Sequence, residues 1–169
     1  MSLDQLGNIG EFVSSVAVVI SLVYLAIQIK KNTETERTST YQSIVSDFGA
    51  LNQSMASTPE LSYMFVQGME DFHRLNPEEK ARISQIFFQC FHYFENMFYQ
   101  YQKGYLEEEV WSGWKRLMLT YYSRPGFQTW WKARSSVFSE PFSEFLKTAT
   151  LDQETPSYFD ICHADSVSA

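Results

Sequence analysis

The chain has 169 residues, 44% hydrophobic and 17% aromatic, with a formal net charge of −7 and a sequence pI near 4.9. That is one domain's length with ample apolar material for a core, which excludes intrinsic disorder, and the acidic balance excludes nucleic acid, whose phosphates need a basic face. The two cysteines lie far apart, Cys90 within an aromatic helical pattern and Cys162 in a polar tail, which fits free thiols in a reducing compartment better than a stapled secreted scaffold.

In chain order, the first element is the stretch FVSSVAVVISLVYLAIQIKK, Phe12 to Lys31. From Phe12 to Ile29 no residue carries a formal charge. At roughly 1.5 Å of rise per residue these residues cover about 27 Å of helix, close to a hydrocarbon thickness of roughly 30 Å. A secretion signal would begin with a positive region, but MSLDQLGNIGE has no Lys or Arg and carries Asp4 and Glu11. The stretch therefore reads as a retained transmembrane helix, with the buried core helix of a soluble domain as the alternative. All 13 Lys and Arg residues come after it, beginning with Lys30 and Lys31. The positive-inside rule then places the C-terminal domain in the cytoplasm and the N-terminus outside. The chain divides into an extracytoplasmic N-terminus over 1–11, a transmembrane helix over 12–30, a cytoplasmic helical domain over 31–150 and a polar, fraying tail over 151–169.

Within the span, Gly10, Ser14, Ala17, Ser21, Tyr24 and Gln28 recur at alternating steps of four and three residues, placing them on one stripe of a helix. Val13, Val16, Val19, Ile20, Val23 and Ile27 form a surface suited to lipid. Small residues on one stripe let two helices approach closely, so these six are candidates for a helix–helix interface. The plainer alternative is that the serines bond back to their own helix carbonyls.

Beyond the span the periodicity is helical throughout. Tyr41, Ile44, Val45, Phe48, Leu51 and Met55 recur at helical steps, while the Ser/Thr-rich segment from Asn32 to Thr40 predicts a looser juxtamembrane link. A new helix starts at Thr58-Pro59, with Thr58 as cap. The strongest start is Asn76-Pro77, with Glu79 completing a capping box. The helix it opens is apolar around most of its circumference, through Ile83, Ile86, Phe87, Cys90, Phe91, Phe94, Phe98 and Tyr101, which predicts a central position in a bundle. Gly104 suits its end. A further helix buries Trp111, Trp114, Leu117, Met118 and Tyr121. Pro125-Gly126 breaks the chain before two short helices.

The motifs SLVYLAIQIKKNT, FENMFYQYQKGYLEEEVWSGW, PGFQTWW and FSEPFSEFL resemble those of a group of uncharacterised bacterial single-span membrane proteins that pair an N-terminal hydrophobic helix with an aromatic-rich helical domain. The resemblance runs to about residue 147 and implies a bacterial inner-membrane protein; it carries over no activity, cofactor or catalytic residue.

The fold class expected is all-α, an N-terminal transmembrane helix followed by a cytoplasmic helical bundle. Chemistry is sparse. His92 and Glu95 share a helix at i, i+3, but a carboxylate-bridged metal site needs further helical Glu and His ligands, and His73 and His163 fall in a loop and the tail. His92 bonding a buried acid or carbonyl is the expected role. No phosphate loop, nucleophile elbow or zinc spacing occurs, so no cofactor, metal or catalytic residue is assigned. Trp111, Trp114, Trp130 and Trp131 are candidate pocket aromatics, though core packing suits them as well. The functional reading is a membrane-anchored interaction or scaffold module, with the lipid bilayer and a second copy of the chain as partners and without enzymatic activity. A homo-oligomeric pore lined by the stripe, and a ligand-binding sensor or enzyme with an aromatic pocket, are the alternatives.

Overall fold

A computed structural model describes residues 3–150, with side chains from residue 10 onward. The described residues form six α-helices and no strand: α1 Leu3–Ala56, α2 Pro59–Glu70, α3 Pro77–Gln102, α4 Glu108–Tyr122, α5 Pro125–Arg134 and α6 Glu140–Thr148, with single 3-10 turns at Phe72–Arg74 and Ser135–Val137. The chain divides into two compact units, Met1–Tyr41 and Gln42–Ala169.

The first unit is helical from Leu3, so most of the expected N-terminal segment is already part of α1. Its apolar residues point outward: Phe12, Val19, Ile20 and Leu25 are all more than half exposed, and the 18-residue apolar window has no buried residue. The looser link over Asn32–Thr40 is absent. Thr33, Thr35 and Thr38 donate their hydroxyls to the carbonyls of Ile29, Lys31 and Glu34, at 3.0, 2.9 and 3.0 Å. Each hydroxyl is satisfied one turn back without leaving the helix, which removes the competition that lowers Ser/Thr propensity.

The second unit is built around α3. Ile83, Phe87, Cys90 and Phe91 have no exposed surface, and Phe94 and Met97 are 1% exposed. Phe91 stacks on Phe127 of α5 at 4.0 Å between centroids, and Phe87 meets Phe65 of α2 and Trp130 of α5 edge-on at 5.7 and 5.6 Å. Offset and edge-on pairs of this kind add to the stabilisation from area burial alone. The end of α1 joins this core through Ile44, Phe48, Leu51 and Met55, spaced to share one helix face.

The helix ends agree with the sequence in most places. Asn76 Oδ1 accepts from the Glu78 and Glu79 backbone N–H groups, both at 3.0 Å, and the Asn76 N–H donates to Glu79 Oε2 at 2.8 Å, a complete capping box. Gly104, at φ +75°, closes α3, with the Tyr105 N–H donating to the Gln100 carbonyl and the Gly104 N–H to that of Tyr101. Thr58 departs from expectation: it occupies the cap position of α2 but its side chain makes no capping bond. Instead Ser62 Oγ donates to the Met55 carbonyl at 2.7 Å and ties α2 to the end of α1.

One contact fixes the packing of α5 on α2. A Cβ at Gly126 would lie 2.1 Å from the Gly68 carbonyl oxygen and under 3 Å from the Asp71 and Phe72 nitrogens. Only a residue without Cβ lets these two segments meet so closely.

Candidate functional site

Two features stand apart from the packed core: the exposed apolar length of α1 and a cleft beside the last turns of α3.

On α1, Gly10, Ser14, Ala17, Ser21 and Tyr24 are exposed and Gln28 is half-buried. A Cβ at Gly10 would meet nothing within 4 Å, so packing within the chain does not require that glycine. Ser21 Oγ donates to the Ala17 carbonyl at 2.8 Å, and Ser15, off the stripe, does the same to Glu11. The hydroxyl of Ser21 is thus satisfied within its own helix, and what the stripe offers a neighbour is chiefly small size.

Three of the four tryptophans lie in the core and the fourth, Trp114, packs against it. Trp130 and Trp131 are buried, and the Trp130 Nε1–H donates to Ser84 Oγ at 2.7 Å. Trp111 is buried with its ring stacked on Tyr101 at 5.0 Å. Trp114 and Leu117 are only half-buried, Trp114 meeting Phe48 edge-on at 5.1 Å. None of the four lines either described cavity, a cleft of about 780 Å³ beside α3 or a smaller apolar groove of about 330 Å³ where the end of α1 meets α2 and α4.

The larger cleft is lined from α3 by His92, Glu95, Asn96, Phe98, Tyr99, Gln102 and Lys103, and from the start of α6 by Ser139 and Pro141. His92 is exposed rather than bonded to a buried group. Its ring rests edge-on against Phe88 at 4.3 Å, with Nδ1 3.3 Å from Glu95 Oε2. The other carboxylate oxygen, Glu95 Oε1, accepts the Ser139 backbone N–H at 2.7 Å, so an α3 side chain satisfies an orphan donor at the front of α6. At the far end Lys103 Nζ lies 5.4 Å from the centre of the Tyr99 ring. Residues 92, 95, 96, 99, 102 and 103 recur at helical steps, and that polar stripe on an otherwise apolar helix was the sequence signal for the cleft. Cys162 and His163 lie outside the described residues, and among the described ones no group of three metal-ligating side chains forms.

No protein-family model, curated protein or solved structure matches this chain.

Proposed function

We propose that this chain is a membrane-anchored helical interaction module that self-associates through α1 in a bacterial inner membrane. One observation carries the anchoring: the uncharged run Phe12–Ile29 is helical, long enough to span, and exposes its Val, Ile, Leu and Phe side chains. An exposed apolar surface of that length is unstable in water and stable in lipid, where the helix also satisfies its own backbone groups. Lys30 and Lys31 at the end of the run favour a cytoplasmic location for the C-terminal domain and an outside N-terminus.

Self-association draws on the small-residue stripe. In lipid there is no hydrophobic force between helices, so close backbone approach decides the pairing. Single cysteines introduced by Ser14→Cys, Ala17→Cys and Ser21→Cys, with native cysteines removed, are expected to cross-link in membranes far faster than those at Val16, Val19 or Val23. Ala17→Leu is expected to weaken the dimer and Val19→Leu to leave it unchanged. Equal cross-linking rates on both surfaces would reduce α1 to a lone anchor.

A further inference from the structure

We infer that the cleft beside the end of α3 is a binding site for a small organic monoanion with a flat apolar body, such as an aromatic carboxylate. Its size comes first: about 780 Å³ lies within the range that holds a drug-sized ligand. The walls supply apolar contact through Phe98, Pro141 and the exposed Tyr99 ring.

Charge selects the ligand. Of the two formal charges lining the cleft, the Glu95 carboxylate sits at the end away from Lys103, its side chain only 19% exposed, with Oε1 accepting the Ser139 N–H and Oε2 3.3 Å from His92 Nδ1. The cation is not neutralised. Lys103 makes no ion pair among the described residues and meets only the Tyr99 ring. A carboxylate seated on Lys103 would find an unpaired positive charge about 12 Å along the helix from Glu95, whereas a cationic ligand drawn to Glu95 would reach a carboxylate that is mostly buried and already accepts the Ser139 N–H. From Lys103 to Glu95 is eight residues of helix, about 12 Å, which accommodates a body of two or three fused rings between the ammonium and the Glu95 end.

The test uses the full chain, in nanodiscs if it requires lipid and in buffer if it does not, so the inference stands apart from the anchoring. Equilibrium dialysis would compare 1-naphthoate, neutral 1-naphthamide and 1-naphthylmethylammonium at low salt, each corrected for binding to empty nanodiscs. The expected result is saturable binding of naphthoate at one site per chain, about fivefold tighter than the other two, with the preference shrinking as salt rises. Lys103→Met should abolish the preference and Lys103→Arg retain it, while Tyr99→Ala should weaken all three probes alike. Absence of saturable binding, equal affinity for the three probes, or an unchanged preference in Lys103→Met would overturn the inference.

Discussion

Complete burial on α3 pushes the Cys90 thiol up to about 12 from an ordinary value of 9.0. The fold therefore favours the neutral thiol. That contribution is fully present below pH 9 and is lost as the pH rises toward 12, because the unfolded chain releases the proton first. Relative to Cys90→Ala, the wild-type chain is expected to lose stability in that window at up to about 1.4 kcal/mol per pH unit. In the folded protein at pH 8, Cys90 is expected to resist N-ethylmaleimide until denaturant is added, as read by site-resolved mass spectrometry; labelling without denaturant would contradict its place in the core. A second residue-scale effect belongs to Gly126. The added methyl of Gly126→Ala meets backbone rather than a movable side-chain end, so urea unfolding should show a loss of about 3 kcal/mol. The burial of Cys90 was legible from its place on the apolar face of α3, but the Gly126 effect was not. A glycine after proline has many ordinary explanations, and only the three-dimensional approach to Gly68 singles out Gly126.

Among the elements, α3 was the most legible, because its capping box, its broad apolar circumference and its closing glycine are all local signals. The segment Asn32–Thr40 was the least. Propensity scored its threonines as helix-weakening, and the back-bonding that reconciles them with the helix is a choice of side-chain rotamer that composition does not reveal. A continuous α1 makes a distance prediction within the first unit. Spin labels introduced by Leu22→Cys and Ser39→Cys, in a chain without its native cysteines, span 17 residues and are expected about 26 Å apart with a narrow distribution. A broad distribution would restore the looser link. The cleft was legible only in part. Its α3 side repeats at helical steps, but the Ser139–Pro141 side comes from a distant element whose approach depends on the Glu95 contact.

For the whole molecule, the all-α class came from the pattern of apolar residues, and none of the four candidate tryptophans lines either described cavity. Phenylalanine and tryptophan at helical spacing satisfy one another in the core, leaving the cleft to the polar stripe of α3. What the second unit leaves unexplained is the first: a helix whose apolar side chains are exposed over a length that matches a bilayer. The anchoring reading resolves this. It is tested most directly by fractionating cells that produce the full-length chain, with an alkaline wash to strip peripheral proteins. The account predicts that the protein stays in the washed membrane pellet and leaves it only in detergent, and that removal of residues 1–31 releases it. Recovery of the full-length chain in the soluble fraction without detergent would contradict the account.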